Sequence, residues 1–88
     1  MADTTFQLEV ATPERLLVDA QVSEAEVPGK DGYMGILPGH APLLSALGKG
    51  TLTYSEGGAK HVLNIDGGFV EVFDNHVRVL ADSAEAAS

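Results

Sequence analysis

The 88-residue chain has no cysteine, so neither a disulfide framework nor a thiolate metal site can form. It is also short of cations, with 5 Lys and Arg against 13 Asp and Glu and a formal net charge of −8. Phosphate backbones and anionic lipid surfaces are bound by clustered cations. This balance therefore argues against nucleic acid or a bare membrane surface as the partner, and it suits a partner with a basic patch.

No apolar run reaches the roughly 18–20 residues that a membrane-spanning helix needs. The N-terminal residues 1–5 are acidic and polar, unlike a signal peptide, and the lack of cysteine favours a reducing compartment. We therefore expect a cytoplasmic protein without direct bilayer insertion. A chain this short forms one domain with a thin core, which favours a protein that acts by presenting a surface.

Apolar residues alternate with polar ones along much of the chain, which predicts β-strands with one buried face. The first strand contains Phe6, Leu8 and Val10 on one face, and further strands are expected at 16–27, 51–54, 60–65, 69–73 and 76–80. A change of alternation between Val22 and Ala25, where Ser23 and Glu24 intervene, predicts a bulge or bend. Turns are expected at residues 28–32, 66–68 and 74–75, the last being a two-residue hairpin connection. This spacing predicts an all-β sandwich or barrel.

Two segments do not alternate. Residues 41–47 (APLLSAL) are compatible with one helical turn or with a strand buried on both faces. From Ala81 the sequence becomes small and polar, which predicts a flexible tail at residues 83–88 after a domain at 1–82.

Motifs that would carry catalysis or ligand binding are weak. The sequence from Gly48 to Thr51 (GKGT) resembles a phosphate-binding loop, but Leu43 stands where the first glycine of that pattern belongs. The three histidines, His40, His61 and His76, could supply zinc ligands, yet they lie on three different predicted elements without a local ligand spacing.

Paired carboxylates offer no better support for an enzyme. Glu24 and Glu26 would share one face of a strand, where such pairs commonly form a solvated rim. No nucleophile elbow of the GxSxG type is present. We therefore expect neither catalytic residues nor a cofactor.

The segment from Gly35 to Leu44 (GILPGHAPLL) is rigid and apolar. Two prolines and two glycines within residues 35–42 restrict its backbone. A buried crossover between sheets and a binding edge are both compatible with this composition. A rigid apolar loop suits a permanent interface because it loses little entropy on docking.

Three blocks in order carry a resemblance to a known family. They are FQLEVATPE, EVPGKDGYMGILPGHAPLLSAL and LNIDGGFVEVFDNHVRVLAD, and together they span residues 6–82. In this order and spacing they resemble the N-terminal β-sandwich domain of the epsilon subunit of F-type ATP synthases. The resemblance implies a ten-stranded sandwich of two five-stranded sheets.

The same resemblance implies a non-catalytic subunit of the central stalk. Such a subunit binds the gamma subunit and the c-ring in a hetero-oligomeric complex and couples proton flow to ATP synthesis. It would be peripheral to the bacterial inner membrane, on the cytoplasmic face, and the catalytic residues would lie on other subunits.

Individual positions can be carried over by alignment of these blocks. Positions that lie against gamma in the family correspond to Thr12, His40 and Ser45. The turn that meets the c-ring corresponds to Lys30, Asp31, Gly32, Tyr33 and Met34. The sequence departs from the family at Tyr33, where an acidic residue is frequent.

Full-length family members continue into a helical hairpin that inhibits ATP hydrolysis, whereas this sequence ends six residues after Asp82. We therefore expect coupling without that inhibition. The alternative hypothesis is a stand-alone β-sandwich that binds a small ligand or a metal ion.

Overall fold

The computed structural model describes residues 4–87, which form seven β-strands and no helix. The strands are β1 Phe6–Ala11, β2 Leu16–Val22, β3 Glu24–Gly29, β4 Gly32–Ile36, β5 Leu43–Glu56, β6 Ala59–Phe73 and β7 His76–Ala86. The predicted all-β class is confirmed. Residues 1–3 and 88, which belong to the predicted domain and tail, lie outside the described residues.

The strands hydrogen-bond in the order β2-β1-β7-β6-β5-β3-β4. Neighbours are antiparallel except β1 and β7, which are parallel. Ser23 is the single residue between β2 and β3, and its N–H donates to the Ser55 carbonyl at 2.9 Å. The predicted bend between Val22 and Ala25 is confirmed at this serine, and it carries the chain from the edge strand β2 to β3, beside the opposite edge strand β4.

A row of three residues interrupts the ladders of the three longest strands. Gly48, Gly67 and Asp82 have no partner in the pairings of β5 with β6 and of β6 with β7, although pairing resumes in the same register on both sides. Gly67 has a φ of +75° and its neighbour Gly68 a φ of +115°. A Cβ on Gly68 would lie 2.1 Å from the Leu80 carbonyl oxygen, so only glycine fits there. The sheet folds over on itself along this row.

We name the two sides of this row the first and second half-sheets. The first half-sheet contains β2, β1 and residues 76–81, 68–73 and 43–47 of β7, β6 and β5. The second contains β3, β4 and residues 83–86, 59–66 and 49–56 of β7, β6 and β5. Hydrogen bonding therefore gives seven strands in one mixed sheet, and the predicted count of ten is reached only if each long strand is divided at the row.

The core lies between the two half-sheets. Fully buried side chains of the first half-sheet include Leu8 and Val79, and those of the second include Leu52 and Val27, all in one continuous cluster. Inward positions alternate along each strand, so every outward position is left on a surface. No buried polar or charged residue occurs within residues 4–87.

The structure differs from two local predictions, confirms a third and excludes one of the two alternatives left open for a fourth segment. The segment 66–68 is not a turn, because β6 runs through it as the fold line of the sheet. Residues 83–86 of the predicted tail belong to β7, where Asn64 pairs with Glu85. The two-residue hairpin at Asp74 and Asn75 is confirmed, with φ angles of 49° and 61°. The APLLSAL segment enters β5 at Leu43 and has no helical turn.

Candidate functional site

An unbroken apolar row crosses the outer face of the first half-sheet. Residues directly opposed in neighbouring strands point to the same face. Their pairing places five apolar side chains in one line: Ala46, Phe69, Leu80, Ala11 and Leu16. Each belongs to a different strand, so the row spans the full width of the half-sheet.

The large apolar side chains of this outer face are exposed. Five of the eight exposed large hydrophobic residues among residues 4–87 lie on it, namely Leu16 (53%), Leu44 (71%), Phe69 (57%), Phe73 (65%) and Leu80 (53%). We call this surface the apolar face. Contiguous exposed apolar patches are uncommon on small monomers and mark interaction sites.

The outer face of the second half-sheet is polar by contrast. It is composed mainly of Lys49, Thr51, Thr53, Ser55, Lys60, Asn64, Asp66, Ser83 and Glu85, with Val62 as its exposed aliphatic residue. The sandwich therefore has one outer face suited to water and one suited to a protein partner.

A row of charged residues borders the apolar row. Leu44, Glu71, Arg78, Glu9 and Asp19 are aligned across the five strands. Nη2 of Arg78 lies 3.6 Å from Oε1 of Glu9, and Nη1 lies 3.9 Å from Oε1 of Glu71. We call Glu71, Arg78, Glu9 and Asp19 the charged row.

Side chains from the ends of these strands complete a polar network on the same face. Nε2 of His76 is hydrogen-bonded to the carboxylate of Glu9. The amide of Gln7 donates to the carboxylate of Asp19, and Gln21 donates to Gln7. These bonds fix the polar side chains before any partner arrives.

The three positions predicted to face gamma do not cluster. Ser45 lies in the β5 margin of the first half-sheet and pairs with Val70, so its side chain points inward rather than onto the apolar face. Thr12 follows β1, where its Oγ1 accepts a 3.3 Å bond from the Glu14 N–H. His40 lies in the loop before β5.

Asn75 joins the loop that carries His40 to the start of β1, whereas Thr12 follows the end of β1. Oδ1 of Asn75 accepts a 2.9 Å bond from the Gly39 N–H, and its Nδ2 donates a 2.8 Å bond to the Thr5 carbonyl. Because a strand rises about 3.3 Å per residue, Thr5 lies roughly 20 Å from Thr12 along β1. The three predicted positions therefore surround the apolar face at its margins.

The predicted c-ring turn is the β3–β4 hairpin. Lys30 and Asp31 form its exposed tip, and the Lys30 N–H donates a 2.9 Å bond to the Ala46 carbonyl. Met34 is partly buried against the core and is therefore withdrawn from the tip. Of the five predicted residues, Lys30, Asp31, Gly32 and Tyr33 are exposed, and only Met34 is partly buried.

Tyr33 lies across β5 instead of extending from the tip. Its hydroxyl accepts a 3.1 Å hydrogen bond from the Thr51 N–H. A Cβ on Gly50 would lie 2.4 Å from that hydroxyl and 2.9 Å from Cβ of Pro28, so the glycine makes room for the ring. The hydrogen bond from Thr51 lowers the pKa of Tyr33 below its ordinary value.

The histidines that could have formed a metal site are held apart. The ring of His61 stacks on Tyr54 with centroids 4.9 Å apart, His76 binds Glu9, and His40 contacts its own loop through the Ala41 carbonyl at 2.7 Å. Within residues 4–87 no group of three or more His, Asp or Glu side chains is placed to hold a metal ion. The alternative of a metal-binding sandwich gains no support from this arrangement.

Sequence reasoning missed the apolar face, although its signal was present. In the predicted strand 69–73, Val70 and Val72 share one face by alternation, which leaves Phe69, Glu71 and Phe73 on the other. Large aromatic residues opposite a buried valine face indicate a strand that is apolar on both sides. Only the pairing of β6 with its neighbours shows that Phe69 lies in one row with Ala46 and Leu80.

Residues 5–87 match the family described as "ATP synthase, Delta/Epsilon chain, beta-sandwich domain". The chain belongs to this family. The ATP synthase epsilon chain of Solibacter usitatus is 63% identical over 83 residues, covering 94% of this chain and 62% of that protein. That of Nitratidesulfovibrio vulgaris strain Miyazaki F is 48% identical over 85 residues, covering 97% and 63%.

This member of the epsilon family thus spans somewhat less than two thirds of the length of the curated relatives it matches. Among solved structures, it is similar to a chain of the Euglena gracilis mitochondrial ATP synthase (OSCP/F1/c-ring), with a TM-score of 0.89, 27% identity, and coverage of 98% of this chain and 56% of that chain. A chain of the Tetrahymena thermophila central stalk and c-ring structure has the same fold, with a TM-score of 0.79 at 15% identity. No helix within residues 4–87 is long and apolar enough to cross a membrane.

Proposed function

We propose that this chain is the sandwich domain of a non-catalytic central-stalk subunit, which joins the gamma subunit to the c-ring of a proton-translocating ATP synthase. Family membership and the epsilon chains among its relatives support this role. The observation that carries the proposal is the apolar face, because an epsilon domain that is permanently docked needs a large surface without charge at its centre.

The apolar face binds gamma in this proposal. Phe69 and Leu80 are adjacent in neighbouring strands and lie centrally in the apolar row, where aromatic and aliphatic anchors contribute most to binding. The strands beneath them are hydrogen-bonded on both sides, so the backbone loses little entropy on docking. Thr12 and His40, at the margins, would form the rim of the gamma interface. Ser45 would be reached only from the β5 edge of the first half-sheet, because its side chain points inward.

The β3–β4 hairpin meets the c-ring in this proposal. Its exposed tip carries one positive charge on Lys30 and one negative charge on Asp31, which suits short polar loops rather than lipid. Tyr33 and Met34 would hold the tip in place from behind, through Thr51 and the core. The two contacts use different parts of the sandwich, so one domain can bind both partners at once.

The role is mechanical linkage between the rotor components, which couples proton flow to ATP synthesis on other subunits. The domain would work as a peripheral component at the cytoplasmic face of the bacterial inner membrane. Neither a cofactor nor a catalytic group is required of this chain.

Copurification tests the proposal. The chain and the gamma subunit from the same organism, expressed together, are expected to elute from a gel-filtration column as a stable one-to-one pair. Elution as two separate species, with no heat of binding in calorimetry, would refute it.

A further inference from the structure

The charged row is unevenly neutralised. Arg78 lies within 4 Å of Glu9 on one side and of Glu71 on the other, at 3.6 Å and 3.9 Å. Asp19, at the β2 end of the same row, forms no ion pair with a side chain of residues 4–87 and is hydrogen-bonded only by the neutral amide of Gln7. The row therefore has three carboxylates against one guanidinium, and the excess negative charge lies towards β2.

Asp19 is adjacent to the apolar row on the same outer face. Leu16 and Asp19 both lie on β2, opposite Ala11 and Glu9 respectively. On β1, Ala11 and Glu9 are neighbouring same-face positions about 7 Å apart, and a register shift adds one residue between Leu16 and Asp19 on β2. Any partner that covers the apolar row therefore also covers Asp19 or its immediate border.

Covering Asp19 has an energetic consequence. A carboxylate that loses water without gaining a cation is strongly unfavourable, whereas one that gains a cation and keeps its hydrogen bond is not. The amide of Gln7 already supplies one hydrogen bond, so the missing component is positive charge. A surface that fits this face has a basic side chain opposite Asp19.

Other occupants match this face less well. A second copy of the chain has a formal charge of −8 and would place acidic residues against acidic residues across a symmetric contact. An anionic lipid surface would be repelled for the same reason. Charge complementarity thus selects a basic protein surface.

We infer that the gamma-subunit surface covering the apolar face combines an apolar strip with a basic side chain about 7 Å to one side of it, paired with Asp19. This inference rests on the proposed function and specifies the chemistry of its partner. Because the charge lies on one side of the strip only, the pair fixes the direction in which gamma lies across the strands. A partner rotated by half a turn would leave both charges unpaired.

The experiment measures the affinity of the gamma subunit from the same organism by calorimetry for the wild-type chain and three variants. Asp19→Lys places two like charges together and is expected to raise Kd at least about tenfold at about 50 mM salt. Asp19→Asn keeps the shape and removes the charge, so a smaller rise of roughly threefold is expected. Glu85→Lys makes the same change of charge on the polar outer face and should leave Kd within about twofold.

Salt provides a second readout, because it screens the charge pair within one folded chain. The Kd of the wild-type chain should rise between about 50 and about 300 mM salt, and that of Asp19→Asn should rise less steeply. If gamma binds the wild-type chain but Asp19→Lys and Glu85→Lys bind equally well, this inference fails and the proposed function stands. If gamma does not bind the wild-type chain, both fail. A wild-type chain that instead dimerises through this face in sedimentation would also overturn the inference.

Discussion

The backbone N–H of Thr51 donates a 3.1 Å hydrogen bond to the phenolic oxygen of Tyr33, which joins the β3–β4 hairpin to the middle of β5. Gly50, which precedes Thr51, leaves the space that the phenol ring occupies. The Tyr33 side chain, although still exposed, thus braces the hairpin against β5. The exposed tip that remains consists of Lys30, Asp31 and Gly32.

The chain has two tyrosines, and their titrations should separate. The hydrogen bond from Thr51 lowers the pKa of Tyr33, whereas burial raises the pKa of Tyr54. Absorbance of the native protein near 295 nm, an approximate tyrosinate wavelength, should therefore show one transition below and one above the ordinary tyrosine value. Tyr33→Phe should remove the lower transition and leave the upper one. A single transition at the ordinary value would contradict the brace.

These two shifts act on stability in opposite directions. Because the pKa of Tyr33 is lowered in the folded state, Tyr33 stabilises the fold at pH values above the ordinary tyrosine pKa. This stabilisation is lost as the pH falls through the folded-state pKa. Because the pKa of Tyr54 is raised in the folded state, Tyr54 stabilises the fold at pH values below the ordinary tyrosine pKa. This stabilisation is lost as the pH rises through the folded-state pKa. Chemical denaturation of Tyr33→Phe at alkaline pH should therefore show a steeper loss of stability than the wild-type chain shows.

Alanine substitutions at three glycines are expected to lower the free energy of unfolding to different degrees, and most at Gly68 on the fold line. Gly68 combines a φ of +115° with a Cβ position 2.1 Å from the Leu80 oxygen, Gly58 has a φ of +83° in open space, and Gly35 has open space without positive φ. We expect Gly68→Ala to lower the free energy of unfolding by more than about 2 kcal/mol and Gly58→Ala by about 1 kcal/mol. Gly35→Ala should be neutral within about 0.5 kcal/mol or slightly stabilising. Urea denaturation measures all three, and equal effects would show that the bend is not fixed at Gly68.

The β6–β7 hairpin predicts a specific role for Asn75. Asp74 and Asn75 both have positive φ, so glycine suits both positions, but only Asn75 bonds to Gly39 and Thr5. Asn75→Gly should lower the free energy of unfolding by about 1–2 kcal/mol through the two lost hydrogen bonds. It should also speed amide exchange in the loop that carries His40. Asp74→Gly is the control and should change neither quantity; equal behaviour of the two variants would mean that Asn75 does not anchor that loop.

Much of the fold follows from local sequence. The alternation of Phe6, Leu8 and Val10 predicts β1, and Asp74-Asn75 predicts the hairpin, because both depend on residues close in the chain. The glycines at 67 and 68 also have the positive φ that was expected. Whether these angles form a tight turn or a bend within one long strand was not predictable from the sequence. The outcome depends on whether β5 and β7 continue alongside β6. For the same reason Ser83 looks like part of a tail until its pairing with Asp66 is known.

The site was less predictable than the fold. Thr12, His40 and Ser45 came from a resemblance, whereas Phe69, Leu80 and Leu16 form one row only because the chain order of their strands differs from the sheet order. The parallel pairing of β1 with β7 joins residues nearly 70 positions apart, such as Ala11 and Leu80. Periodicity within one strand cannot reveal that contact.

The apolar face itself can be tested with two matched variants on one strand. Phe69 and Val62 are both exposed apolar residues of β6, but Phe69 lies on the apolar face and Val62 on the polar outer face. Neither side chain is needed for the core, so both glutamate variants should fold. Their circular dichroism spectra and melting curves provide the control.

The most direct measurement is the calorimetric Kd of gamma for the wild-type chain, Phe69→Glu and Val62→Glu. The account predicts that Phe69→Glu raises Kd by about a hundredfold, since it places a charge at the centre of the apolar row, and that Val62→Glu stays within about twofold. Equal affinity of the two variants, or a larger loss for Val62→Glu, would contradict the assignment of the apolar face as the gamma-binding surface.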